Sequence, residues 1–380
     1  MKIGIVCYPT FGGSGVVATE LGLALAAEGH QVHFISYSQP ARLEYFSENV
    51  FYHEVSVSNY PLFEYQPYEL ALTSKLVDVV KYEKLDLLHV HYAIPHASAA
   101  FMARSILLAQ GLYIPFITTL HGTDITLLGK DPSFEPVITY TINQSDAVTA
   151  VSESLKQDTY KYFPITREIQ VIPNFISLAD YDRINREGKV NCHRKTYAPS
   201  GEKILLHMSN FRKVKRLDDV IQIFFRVQNE VPSKLLLVGD GPERNRIEQL
   251  CRDMGIFGNV KFLGKITAPE QILSLADVFL LPSETESFGL AALEAMASSV
   301  PVISTNTGGL PEVNKNGVSG FTAHVGDVDE MASKALLLLK NPEMLRTFKE
   351  QARKAASAFD ISVVLPAYES LYNNLIVKSV

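Results

Sequence analysis

The chain has 380 residues, 47% of them hydrophobic and 20% charged, which is too long for one ordinary core and too apolar for extensive disorder. Lysine plus arginine number 35 against 41 acidic residues, a formal charge of -6 that argues against a basic nucleic-acid-binding surface. The three cysteines, Cys7, Cys192 and Cys251, are odd in number and form no Cys-x-x-Cys pair, so a disulfide scaffold and a thiolate zinc site are set aside.

Lys2 to Tyr8 reads as a buried strand. A glycine turn, a small-residue helix, Gly29 and a second strand follow, which together make a βαβ opening. Further strands are predicted at 85–90, 116–120, 147–151 and 169–173, with helices at 70–82 and 96–109. The weakly charged stretch Ser105 to Leu120 contains Gly111 and Pro115, and so reads as a helix end and a buried strand instead of a membrane span. The opening MKIGIV lacks the longer apolar segment of a signal peptide, and a cytoplasmic location with no integral membrane partner is expected.

Tyr181 to Gly201 is polar and reads as a surface segment. The alternation resumes with strands at 203–208, 234–238, 260–263, 278–282 and 300–304. Helices are predicted at 217–228, 244–253, 270–275, 290–297, 329–339 and 342–358, and the apolar end 361–377 reads as a packed helix. The pattern predicts an α/β protein of two parallel-sheet domains with a cleft between them, and ligands beyond the carboxyl ends of the strands.

Gly12, Gly13 and Gly15 do not make a GxGxxG fingerprint or a P-loop, and Ser36, Tyr37 and Ser38 stand where a dinucleotide site wants an acidic residue. The loop can still bring backbone N–H groups and Ser14 to an anion. In VGDGPER, Gly239 and Gly241 permit close backbone approach beyond a strand, and Pro242 can start a helix; a structural turn is the alternative. In ESFGLAALE, Gly289 leads into a helix. The N–H groups of Phe288, Gly289 and Leu290 can receive a diphosphate, Glu286 can accept sugar hydroxyls, and Glu294 can accept from a ribose. SNFRKVKR holds Arg212, Lys213, Lys215 and Arg216, enough cations to neutralise a leaving diphosphate. His89, His91 and His96 invite a metal, but no local carboxylate completes a site, so none is expected. Asp327 with Asp329, and Asp180 with Asp182, read as surface or helix-start residues.

The FGGSG loop, HGTD at His121 to Asp124, VIPN ending at Asn174, VGDGPER, ESFGLAALE and GGLPE at Gly308 to Glu312 together resemble the retaining GT-B glycosyltransferases of family 4, over nearly the whole chain. The resemblance implies two Rossmann-like domains facing a cleft. One is 1–174 plus approximately 360–380 on the acceptor side, because the last helix crosses back. The other is 175–359, which binds a UDP-sugar. It further implies Glu286 on the donor sugar, Glu294 on the ribose, His121 near the reacting centre, and Lys215 on the diphosphate. Asn210 departs from the family's usual arginine, and Arg212 is expected to supply that charge; Asn210 and Gly239 are kept in the donor set. FGGSGVVATELG, HVHYAIPH, HGTDITLLG and SNFRKVKR resemble the bacillithiol-pathway glucosaminyl-malate synthases. That resemblance implies UDP-N-acetylglucosamine as co-substrate, L-malate as acceptor and no metal cofactor. Gly13, Ser14 and Gly15 are then expected on the acceptor carboxylate, with Tyr92, Thr123 and Asn174 beside it. A lipid or glycan acceptor, a UDP-sugar epimerase and a nucleotide-sugar-binding protein without turnover stand as alternatives, and the sequence allows a homo-oligomer without identifying its interface.

Overall fold

A computed structural model describes residues 1–379 apart from 11, 44–47, 58–64, 128, 130 and 187–189. Phe11 of the first glycine loop, Leu128 and part of the polar 181–201 stretch therefore lie outside the described residues, as does the side chain of Cys192. The chain forms two compact units, Met1–Asn174 with Ile361–Val380, and Phe175–Asp360.

The first unit holds strands β1 (Lys2–Val6), β2 (Gln31–Ser36), β3 (Val50–Glu54), β4 (Leu87–His91), β5 (Phe116–Leu120), β6 (Ala147–Ala150) and β7 (Ile169–Val171). They pair in parallel in the order β3-β2-β1-β4-β5-β6-β7. Helices α1 (Ser14–Ala27), α2 (Tyr68–Glu83), α3 (Ser98–Leu108), α4 (Glu135–Gln144) and α5 (Glu153–Tyr162) connect them. The central strands are buried on both faces, which is why they read as unbroken apolar runs. Leu72 and Leu76 of α2 and Ala100 and Ala103 of α3 pack on Val6, Leu88, Val90 and Phe116 to form one layer of the core.

The second unit opens with α6 (Leu178–Arg186) and α7 (Val190–Tyr197), then β8 (Lys203–Met208), α8 (Leu217–Gln228), β9 (Ser233–Val238), α9 (Arg244–Asp253), β10 (Val260–Gly264) and α10 (Pro269–Leu273). It continues with β11 (Val278–Leu281), α11 (Leu290–Ala297), β12 (Val302–Thr305), α12 (Leu310–Val313), β13 (Gly320–Ala323), α13 (Val328–Lys340) and α14 (Pro342–Ala356). The sheet order is β10-β9-β8-β11-β12-β13, again parallel. Phe224, Leu235, Leu237, Leu280, Ala335 and Leu338 belong to its core. A final helix, α15 (Ile361–Ser379), belongs to the first unit. Its Tyr368 and Tyr372 are fully buried, and its Glu369 lies 3.2 Å from His30 Nε2.

The polar 181–201 segment, read as a surface stretch, is exposed or half-exposed at most of its described side chains and includes helical residues of α6 and all of α7. Charge ties these helices down: Arg353 of α14 pairs with Asp182, and Arg194 of α7 pairs with the buried Asp277 at 2.5 Å. Asp327 caps α13 by accepting from the Glu330 amide. Pro242 does not start α9. It sits in a turn two residues ahead of the helix. Among the described residues, no helix is long and apolar enough to cross a membrane.

Candidate functional site

In the first unit the predicted acceptor residues, and His121 expected near the reacting centre, follow the carboxyl ends of strands. The Gly12–Gly15 turn follows β1, Tyr92 follows β4, and His121 with Thr123 follows β5. Two of them meet directly, with Tyr92 OH 2.5 Å from Ser14 Oγ, and the Thr123 side chain lies close to the same phenol. Burial pushes the Tyr92 phenol up to about 12, so it stays an O–H group at neutral pH. Gly13 has φ 48°, a conformation that glycine adopts without cost. Gly15 does something other than expected. Its amide donates to Gly12 O at 3.2 Å, and a Cβ there would stand 2.5 Å from Thr10 O and 2.6 Å from Tyr8 O. Gly15 thus closes the turn, and its N–H is already spent within the loop. Asn174, at the end of the first unit, is buried with an unpartnered Oδ1.

Behind this edge lies a line of histidines. His121 Nε2 is 2.7 Å from His91 Nδ1, His96 Nδ1 is 2.5 Å from the His91 carbonyl, and His89 bridges Tyr372 OH at 2.8 Å and Thr119 Oγ1 at 2.7 Å. Burial lowers all four: His89 and His121 to about 3, His96 to about 4, and His91 well below its ordinary value. Asp124 accepts from the Ala93 amide at 2.7 Å, while burial pushes its carboxyl up to about 6. Within the 89/91/96 set, His96 is hydrogen-bonded to the His91 carbonyl, whereas His89 only stacks on His91, with ring centroids 4.6 Å apart. A separate group, His33, His53 and Glu83, brings its ligand atoms within 4.8 Å. There, too, the 2.9 Å contact joins two nearly coplanar rings with centroids 5.2 Å apart. That is the geometry of an end-to-end N–H···N bond, with the two nitrogens aimed at each other and no gap for an ion between them.

The buried histidines predict acid sensitivity. In the unfolded chain each ring titrates near 6.5, whereas the fully buried His89, His91 and His96 stay neutral until far lower pH. Their contribution to stability is complete above about pH 6.5 and falls as pH drops below it, by about 1.4 kcal/mol per pH unit for each ring. Denaturant midpoints measured from pH 7.5 to 4.5 are expected to decline steeply below pH 6.5. A flat profile would show that the rings are not held neutral.

In the second unit the predicted donor residues also gather at strand carboxyl ends: β8 leads to Ser209–Arg216, β9 to Gly239, β11 to Ser283–Leu290 and β12 to Gly308. Lys215 Nζ meets Glu286 Oε1 at 2.6 Å, and Ser283 Oγ donates to the same oxygen at 2.9 Å. The Glu284 amide donates to Val214 O at 2.8 Å, clipping the lysine turn to the glutamate loop. Asn210 and Arg212 are exposed on that turn, while Arg216 is held by Asp219 at 2.6 Å. Gly289 begins α11 with φ 99°, Phe288 is buried against the Phe359 ring, and Leu290 is the first residue of the helix. Glu294 lies just over one turn into α11 and is partly exposed.

The glycines around these residues serve the protein's own backbone. A Cβ on Gly239 would stand 1.8 Å from Ser209 O, and one on Gly241 2.7 Å from Phe211 O. The close approach read from VGDGPER is therefore made by the 209–211 turn. Gly308 would place a Cβ 2.0 Å from Glu286 O, and the Gly309 amide donates to that same carbonyl at 2.9 Å. GGLPE thus seats the Glu286 loop. Sequence reasoning missed Ser283 and the pairing of His91 with His121. The available signals were a serine two residues past a strand and His89/His91 on one strand face next to the strand that leads to His121.

His207 supports the same edge from below. Its Nδ1 lies 2.8 Å from Leu280 O and its Nε2 2.8 Å from Ser209 Oγ. Burial lowers it to about 4, so the neutral ring donates to the carbonyl and accepts from the serine, joining β8, β11 and the lysine turn.

The model for "Glycosyltransferase Family 4" matches residues 11–180, and that for "Glycosyl transferases group 1" matches 190–355. The chain is 47% identical to the N-acetyl-alpha-D-glucosaminyl L-malate synthase of Bacillus anthracis, over 99% of this chain and 97% of that protein. It is 26% identical to a glycogen synthase of Mycobacterium tuberculosis, over 76% of this chain and 68% of that one. Among solved structures, the sucrose-phosphate synthase of Thermosynechococcus elongatus superposes with a TM-score of 0.80 at 21% identity, covering 99% of both chains. Anabaena Alr3699/HepE in complex with UDP and glucose superposes with a TM-score of 0.80 at 20% identity, covering 98% of this chain and 99% of that one. Two Rossmann-like parallel sheets, both family models and the full-length similarity to the Bacillus anthracis synthase agree: the chain belongs to glycosyltransferase family 4 and has the GT-B fold.

Proposed function

We propose that the chain is a UDP-N-acetylglucosamine:L-malate N-acetylglucosaminyltransferase that retains the anomeric configuration and catalyses the first step of bacillithiol biosynthesis. The observation that carries this reading is the full-length identity to a synthase named for the same product. Buried, unbridged Cys7 and Cys251 fit a reduced cytoplasm.

On the donor side, Lys215 and Arg212 offset the charge of the departing diphosphate with the amides of Phe288, Gly289 and Leu290, while Asn210 and Gly239 border it. Lys215 already carries a carboxylate partner, so Glu286 fixes the ammonium in place and turns its second oxygen to the sugar hydroxyls. Glu294 accepts from the ribose. On the acceptor side, Gly13 and Ser14 receive a malate carboxylate, with Tyr92, hydrogen-bonded to Ser14, and Thr123 beside it and Asn174 offering its unpartnered oxygen to the hydroxyl. His121 borders the sugar at the reacting carbon.

In the chemical step, the malate oxygen forms a bond to the anomeric carbon on the face from which the β-phosphate oxygen departs. The hydroxyl proton passes to the phosphate, which leaves as UDP. The reaction needs no glycosidase-type carboxylate pair, and Glu286 and Glu294 are not cast as one.

The test is mass spectrometry of the protein with UDP-N-acetylglucosamine and L-malate in chelator-treated buffer. An N-acetylglucosaminyl malate adduct and stoichiometric UDP are expected. Glycosylation of a lipid or glycan in place of malate would overturn the acceptor. Release of an epimerised sugar, or tight UDP binding without turnover across acceptors, would overturn the transferase itself.

A further inference from the structure

His91 has no part in the chemistry above, yet it is fully buried directly behind His121. The two ring centroids are 5.0 Å apart with planes inclined by 21°, and the facing nitrogens are 2.7 Å apart. The centroid separation is close to the hydrogen bond plus two ring radii, so the rings meet end to end in a nearly linear N–H···N bond. His91 is itself braced. His89 stacks on it at 4.6 Å, and His89 is held by Tyr372 on one nitrogen and Thr119 on the other. Thr119 in turn meets Thr149 at 2.7 Å.

Both rings of the pair are neutral, so one donates and the other accepts. The direction follows from the far side of His91, whose Nε2 is buried without a partner. A proton on Nε2 would leave an orphaned N–H in the core, whereas a proton on Nδ1 leaves only a bare lone pair there. His96 shows the same arrangement: its Nδ1 faces the His91 carbonyl, which only accepts, so its own buried, unpartnered Nε2 is the bare nitrogen.

We propose that His91 is a positioning residue that donates its Nδ1–H to His121 Nε2 and so fixes His121 as the Nδ1–H tautomer. His121 is partly exposed and then carries its only N–H on the nitrogen not engaged with His91. It meets the donor sugar as a hydrogen-bond donor and not as a base. This consequence rests on the placement of His121 at the reacting centre, whereas the tautomer itself does not.

Nitrogen-15 NMR of the histidine-labelled protein reads the tautomer directly, without any variant. His121 is expected to show a pyrrole-type Nδ1 and a pyridine-type Nε2 from pH 6 to 8; the reverse pattern overturns the proposal. His91→Asn, whose amide nitrogen falls near the position of Nδ1, is expected to keep both the tautomer and the rate. His91→Phe, checked for folding by thermal melting, is expected to mix the tautomers of His121 and lower kcat by about tenfold to hundredfold, with KM for the UDP-sugar nearly unchanged. A folded His91→Phe protein with wild-type kcat and tautomer overturns the role of His91. If His121→Ala keeps full kcat, the placement of His121 at the reacting centre fails instead, and the NMR result still decides the tautomer.

Discussion

Lys215→Ala is expected to lower kcat by about 10²–10³, the cost of deleting one preorganised group that stabilises developing charge. The lysine is suited to that work because it is already immobilised. Its ammonium is 2.6 Å from Glu286, both side chains are largely shielded, and the 213–215 turn is clipped to the glutamate loop through the Glu284 amide. Truncation also leaves Glu286 with only the Ser283 hydroxyl on the oxygen that the lysine had neutralised. Binding of the donor should therefore weaken as well, because an uncompensated carboxylate then faces a diphosphate. Stopped-flow or coupled UDP-release kinetics give kcat, and calorimetry gives UDP affinity. Wild-type kcat in the folded variant would remove Lys215 from the chemical step.

Gly308→Ala is expected to lower both stability and donor affinity, although it replaces a single hydrogen by a methyl group. Gly308 has φ 57°, and the new Cβ would stand 2.0 Å from Glu286 O. The left-handed backbone alone costs an alanine about 1–2 kcal/mol, and relieving the overlap by moving packed backbone adds about 1–3 kcal/mol. For a unit of this size the sum corresponds to a fall in Tm of about 5–15 °C. Because the atom that must move is the Glu286 carbonyl, UDP-sugar affinity should fall with stability. Gly317→Ala separates the two effects: Gly317 has φ 75° but no neighbour within 4 Å, so it should lose only the backbone part and keep donor affinity. Equal losses in the two variants would show that the contact with Glu286 is unimportant.

Legibility in the sequence followed burial. β5, β8, α8, α9 and α11 have the boundaries read from the sequence, because each pairs a continuous apolar run or an apolar stripe with a clear break at its ends. β3 escaped notice: VFYHE is an edge strand with Phe51 and Glu54 exposed, so it lacks an apolar run. α4 escaped because EPVITYTINQ is rich in β-branched residues, and α5 because ESLKQDTYKY buries only Leu155 and Thr159 among its ten residues. Helicity in both is decided by packing and capping more than by composition; Ser152, for instance, caps α5 by accepting from the Leu155 amide.

The candidate site divides along similar lines. Residue types and spacing by themselves determined the two α/β sheets, the glycine turns at strand ends, the cations of SNFRKVKR and the two glutamates of ESFGLAALE, since each is a local pattern with a local cause. Only the tertiary structure decided which groups work together. Ser14 and Tyr92 share a hydrogen bond although 78 residues separate them. Lys215 and Glu286 pair across 71 residues. Gly239 and Gly241, which the sequence reads as permitting close backbone approach, are filled by the chain's own carbonyls from Ser209 and Phe211. His91, Tyr372 and His121 form one line only because β4, β5 and α15 are packed together. The physical reason is that a hydrogen bond, an ion pair or a steric contact depends on ångström-scale separation in space. Parallel sheets bring distant strand ends to one edge, and sequence distance carries no record of that proximity.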